Sequence, residues 1–104
     1  MIYIIGHTKP DLDSAASAVV LKYLFDNIKC YQCPNSKPVL ADEANYETKF
    51  IFNKFNFRLP KVLHKKEIKQ EDKFVLVDHN KISQRKEGIA DDQITNIFDH
   101  HTAS

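Results

Sequence analysis

Residues Met1–Val20, MIYIIGHTKPDLDSAASAVV, decide the fold. Met1 to Ile5 is almost wholly apolar and rich in β-branched and aromatic residues, as suits a parallel strand buried on both faces. Gly6 ends the run. Pro10 favours an extended Lys9, and Ala15, Ala16, Ala18, Leu21 and Leu24 continue with helical spacing, so a helix is expected from about Leu12 to Asn27. Between strand and helix stands H-x3-D-x-D, His7, Asp11 and Asp13, with Ser14 where the helix begins. One imidazole and two carboxylates thus gather at the carboxyl end of a strand, where open α/β sheets hold their ligands. Two close carboxylates repel and are most easily stabilised by a cation. The residues also admit a plainer reading, in which Asp11 and Asp13 simply favour a helix N-terminus and His7 is a polar turn residue.

Beyond Asn27 the chain alternates apolar runs with polar connections. Lys29 to Cys33 could form a short strand, Pro34 to Lys37 a turn and Pro38 to Ala41 another extended piece. A second helix is expected after Asp42 as its cap, with Glu43, Glu47 and Lys49 facing water and Tyr46, Phe50, Ile51, Lys54 and Phe55 at helical spacing, ending near Asn56. Val62 and Leu63 could add a short strand. Phe74 to Val77 is the second strong buried strand, running into Asp78, His79 and Asn80. Lys81 to Asp92 carries the crossover, where Gly88 argues against a long helix. Ile97 and Phe98 close a third apolar strand, which ends in Asp99, His100 and His101.

In a parallel sheet the carboxyl ends of all strands lie along one edge, so these three clusters can meet. Mixed carboxylate and imidazole ligands suit Mn2+, Co2+, Fe2+ or Zn2+ better than Ca2+, and the lack of cysteine in the clusters favours an open catalytic site over a structural zinc site. The two cysteines, Cys30 and Cys33, are spaced C-x-x-C, but no second pair completes a tetrahedral site and Pro34, Asn35 and Ser36 mark a turn. Two free thiols are the preferred reading.

A chain of 104 residues with 42% hydrophobic content supports one core and one domain. Its net charge of +1 offers no general attraction to nucleic acid or an anionic membrane. No segment approaches the roughly 20 apolar residues of a membrane span, and the first strand lacks the flanks of a signal peptide. A cytoplasmic protein is expected. The expected architecture is α/β, a mostly parallel, doubly wound sheet of about four to five strands with helices on both faces.

Three motifs in order, G-H-x-x-P-D-x-D-S at Gly6–Ser14, V-D-H-N at Val77–Asn80 and D-H-H at Asp99–His101, resemble the DHH phosphoesterases. Within them the chain looks most like the N-terminal part of the family II, manganese-dependent inorganic pyrophosphatases, and the Pro38–Phe55 segment is similar too. The resemblance implies hydrolysis of pyrophosphate by a water activated between two divalent metals, Mn2+ with Co2+ as the alternative, and Mg2+ accompanying substrate. It implies that His7 and Asp11 bind one metal, Asp13 and His100 the other, and that Asp78 bridges them. His101 would help with phosphate binding or proton transfer, Asp99 would orient the histidines, and Ser14, His79 and Asn80 would support the site. It also implies a homodimer paired through a sheet edge.

Ser14 and V-D-H-N favour pyrophosphatase over the nucleotide branch of the family, while D-x-D-S is shared with exopolyphosphatase-like members. The alternatives are a phosphoesterase acting on polyphosphate, nucleotides or oligonucleotides, and a non-catalytic metal-binding module. The family continues through a further metal-binding aspartate and a domain whose Arg and Lys groups clamp substrate, whereas this sequence stops at Ser104. The chain therefore looks like a DHH-type catalytic domain cut before those parts, and is expected to bind metal more weakly than the family and to hydrolyse pyrophosphate slowly or not at all.

Overall fold

Successive side chains of a strand point to opposite faces, and Ile2–Ile5 and Phe74–Val77 are apolar at every position, so these two strands need cover on both sides. The computed structural model describes residues 1–27, 36–78 and 82–98. Its strands are β1 (Ile2–Ile5), β2 (Ser36–Val39), β3 (Lys73–Val77) and β4 (Ile94–Phe98), and its α-helices are α1 (Leu12–Asn27) and α2 (Tyr46–Lys54). All pairings are parallel, and the strand order is β2-β1-β3-β4. The order reverses between β1 and β3, whose carboxyl ends therefore flank the crevice of the sheet.

Ile4 pairs with Val75 and Ile5 with Leu76, which puts equivalent faces of the two central strands in step. One face carries Ile2, Ile4, Val75 and Val77 and is covered by Ala18, Leu21 and Phe25 of α1. Burying side chains the size of Leu21 and Phe25 is worth roughly 1.5–3 kcal/mol each. The other face carries Tyr3, Ile5, Phe74 and Leu76 with Val39 of β2. Its cover comes from Leu63, Ile68 and Ile89, on connections that include 3-10 turns at Lys65–Glu67 and Asp91–Gln93. Tyr3 stacks on Phe74 with ring centroids 5.6 Å apart. Gln93 ties this layer together: its buried amide donates to the carbonyls of Lys69 and Asp72 and accepts from the Ala90 N–H.

α1 matches its expected span, although its buried stripe is Ser14, Ala15, Ala18, Leu21 and Phe25, and Leu24 is left 37% exposed. Other local expectations are corrected. Ser36 and Lys37 belong to β2 and not to a turn, because pairing with Ile2 and Tyr3 holds them extended. The cap of α2 is Asn45, whose side chain accepts the Thr48 N–H at 2.8 Å. Asp42 lies upstream, held by Lys86. The buried face of α2 is Thr48 and Phe52, of which Phe52 shares a cluster with Ala44, Leu40 and Ala15, while Tyr46, Phe50 and Phe55 are exposed. Helical spacing pointed to the larger aromatic face, and packing of Phe52 against Ala15 of α1 selected the other one. Asn56 ends the helix in the left-handed region, φ 57°, as expected of a C-terminal Asn. Val62 forms a single parallel bridge with Leu40, and the proposed strand at Lys29–Cys33 lies outside the described residues.

Candidate metal centre

Gly6 follows β1 and is buried, and the chain turns there to bring His7 over the end of β3. The His7 backbone N–H donates to the Ser14 hydroxyl oxygen at 3.1 Å. Its Nδ1 lies 2.6 Å from the Thr8 carbonyl oxygen. A carbonyl only accepts, so Nδ1 carries a proton there, and Nε2 is turned to the other side. On that side stand two carboxylates, Asp11 Oδ1 at 3.6 Å and Asp78 Oδ2 at 3.5 Å.

Asp11 reaches this position because it caps α1. Its Oδ1 accepts the Ser14 N–H at 3.0 Å, and its carbonyl accepts the Ala15 N–H at 3.1 Å. The plainer reading of this aspartate, a helix cap, therefore holds at the same time as its place in the cluster. Asp78 arrives from the end of β3, 5% exposed, with its backbone in the left-handed region at φ 60° and its N–H on the Phe98 carbonyl at 2.9 Å. Such a conformation costs a non-glycine residue of order 1 kcal/mol and recurs at functional sites.

Donor atoms of His7, Asp11 and Asp78 all lie within 4.8 Å of one another. At that spacing two carboxylates repel by about 1 kcal/mol at the dielectric of water and about 3 kcal/mol at an effective value of ~20. Three oxygen and nitrogen donors around one cation at about 2.1 Å stand roughly 3.0–3.5 Å apart, the spacing His7 Nε2 makes with its two neighbours. The donor set fits a divalent metal of the borderline class.

The loop bearing His7 is clamped from two further connections. Thr8 donates its N–H to the Gln84 carbonyl at 2.7 Å, and the Lys9 N–H points to Asp42 Oδ2 at 3.4 Å. Lys86 in turn reaches the Ala41 carbonyl and Asp42 Oδ1. This clamp overturns the extended conformation expected for Lys9, which takes φ 53°. The preference imposed by Pro10 is local and small, and the tertiary hydrogen bonds on either side outweigh it. Gln84, Asp42 and Lys86 were not legible as site supports, since nothing local in their sequence marks them.

Asp13 is not in the three-residue cluster. Two positions after the cap, it stands exposed on a different side of α1, in a groove of about 340 Å³ lined also by Ala16, Val77 and Phe98. Val77 and Phe98 directly precede Asp78 and Asp99 in the chain. His79, Asn80, Asp99, His100 and His101 lie outside the described residues.

A parallel sheet with an imidazole and two carboxylates converging at its switch point defines an α/β domain with a candidate cation site. The match of residues 1–104 to the model of the DHH family, N-terminal domain, places the chain in that family. Among its relatives is the manganese-dependent inorganic pyrophosphatase of Methanocaldococcus jannaschii, 36% identical over 101 residues, covering 97% of this chain and 29% of that protein. The manganese-dependent inorganic pyrophosphatase of Methanothrix thermoacetophila is 36% identical over 100 residues, with 96% and 30% covered. A Methanococcus jannaschii crystal structure assigned as a family II inorganic pyrophosphatase superposes with a TM-score of 0.79 at 32% identity, over 98% of this chain and 30% of that one. The chain thus spans about three-tenths of the length of these relatives. Among the described residues no helix is long and apolar enough to cross a membrane.

Proposed function

We propose that the chain forms the metal-holding part of a manganese-dependent inorganic pyrophosphatase. The observation that carries this is Asp78, a buried carboxylate held in a left-handed backbone at the switch point, with its Oδ2 3.5 Å from His7 Nε2 and Asp11 in the same cluster. His7 and Asp11 would hold one cation, Asp13 and His100 the second, and Asp78 would serve both. Bound divalent cations neutralise the charge of the phosphoryl oxygens and acidify the attacking water. The protein's task is placement. The Asp11 cap and the Thr8 carbonyl keep donor atoms aimed before metal arrives, and burial of Asp78 strengthens its attraction for positive charge. Asp99 orients the neighbouring histidines, and His101 stabilises charge developing on the phosphate or transfers a proton. The relatives named for this activity at 36% identity support pyrophosphate as substrate.

The test is a chimera in which residues 1–104 replace the matched segment of the Methanocaldococcus jannaschii relative, assayed for phosphate release with Mn2+. Release from pyrophosphate, abolished by Asp78→Asn, is expected. A chimera that binds Mn2+ but releases no phosphate from pyrophosphate refutes the proposal, and turnover of tripolyphosphate or an oligonucleotide alone would move the assignment to another branch of the family.

A further inference from the structure

We infer that Ser14 is a positioning residue of this metal centre and that Gly6 is the position that makes room for it. The inference rests on the metal-centre reading and deepens it. Ser14 is 1% exposed and sits in the first turn of α1, where a small polar residue is expected to cap or to face water. Here it does neither. Its hydroxyl oxygen takes the His7 backbone N–H at 3.1 Å, seven residues back and across the turn. Its own N–H takes Asp11 Oδ1 at 3.0 Å. One buried residue therefore holds the main chain of the first ligand and the carboxylate of the second, on opposite sides of the same turn.

The consequence for His7 is geometric. Its ring is tied at Nδ1 to the Thr8 carbonyl, and the Thr8 N–H is tied to Gln84, so the ring follows the backbone of residues 7 and 8. The Ser14 hydroxyl fixes the near end of that segment. Without it, the part-buried His7 N–H loses this acceptor, and the segment can shift to recover one, carrying Nε2 away from Asp11 and Asp78. The approach is close enough to dictate the residue at position 6: a Cβ on Gly6 would stand 1.8 Å from the Ser14 hydroxyl oxygen and 3.0 Å from its Cβ. Strand and helix meet at this point without space for a side chain, which keeps the hydroxyl within reach of the His7 N–H.

The test compares the parent chain with Ser14→Ala, Ser14→Thr and Asn45→Ala. Asn45→Ala removes the cap of α2 and serves as a control for general loss of stability. Mn2+ affinity is read by electron paramagnetic resonance titration of the free ion, and protection of the His7 amide by hydrogen exchange on metal-free protein. Expected are an about 10-fold weaker Mn2+ affinity and a fast-exchanging His7 amide in Ser14→Ala, both restored in Ser14→Thr and both unchanged in Asn45→Ala. Parent-like affinity in Ser14→Ala, an equal loss in Asn45→Ala, or no restoration by the threonine hydroxyl overturns the assignment. A parent chain that protects the His7 amide but does not bind Mn2+ removes the centre itself, and so separates the failure of the metal reading from that of the contact.

Discussion

Replacing Gly6 with alanine is the sharpest perturbation this fold offers, because the added methyl meets a wall. It would stand 1.8 Å from the Ser14 hydroxyl oxygen, 3.0 Å from its Cβ and 3.4 Å from its Cα. Ordinary contact begins near the last of these distances, so about 1.6 Å must be found at the hydroxyl, and Ser14 has no long side chain to swing aside. If the hydroxyl rotates away, the part-buried His7 N–H loses this acceptor, at about 1–2 kcal/mol. The remaining crowding between the two Cβ atoms forces β1 and α1 apart, at about 1–3 kcal/mol for an overpacked core. Together Gly6→Ala should cost about 2–5 kcal/mol, a large part of the roughly 5–15 kcal/mol that holds a domain folded. Urea denaturation followed by far-ultraviolet circular dichroism measures it. Ser14→Ala alone should cost about 1–3 kcal/mol, and the double variant should be less destabilised than the sum by about 1–2 kcal/mol, since the 1.8 Å contact no longer exists. Strict additivity, or a Gly6→Ala loss under about 1 kcal/mol, would show that strand and helix do not meet as described.

Lys9→Gly should stabilise the protein by about 0.5–1 kcal/mol in the same denaturation experiment, because Lys9 holds φ 53° and glycine enters that region without a Cβ penalty; a loss of stability would mean that the conformation is not the one described. Gln93→Leu should destabilise by about 2–3 kcal/mol, since it strands the carbonyls of Lys69 and Asp72 and the N–H of Ala90, and a thermal midpoint within 2 °C of the parent would contradict the network. Burial, then the nearby charges of Asp72 and Glu67, push the Tyr3 hydroxyl above its ordinary value of 10.0. The unfolded chain therefore loses this proton first, so the contribution of Tyr3 to stability is intact below about pH 10 and declines as pH rises beyond it. Tyr3→Phe should flatten that decline in pH-dependent melting, and an unchanged slope would count against the shift.

Much of the site could be read before any tertiary contact was known. The apolar runs ending in His7, Asp78 and Asp99 marked three strands that deliver chemistry at one edge, and the span of α1 followed from helical spacing and the acidic residues before it. Asp11 was read as favouring the helix N-terminus and as a ligand candidate; in the structure it caps α1 and lies within 4.8 Å of the donor atoms of His7 and Asp78. Two of the errors were of one kind. Lys9 and the buried face of α2 were each decided by a partner distant in sequence, Asp42 for Lys9 and Ala15 of α1 for Phe52, whereas the cap of α2 is a local contact in which Asn45, not Asp42, takes the Thr48 N–H. Gly6 was read as the end of a strand, and only the position of Ser14 shows why no other residue fits there.

By itself, then, the sequence determined the kinds of element, their order and the residue types waiting at their ends, because hydrophobic period, proline, glycine and capping side chains act over a few residues. Tertiary structure decided that β3 lies beside β1, which brings Asp78 to within 3.5 Å of His7, that Asp13 faces another groove, and that Asp78 and Lys9 adopt left-handed backbones. Which strands pair, and which helix face is covered, are set by burying apolar surface between segments far apart in the chain, and no local pattern encodes that choice.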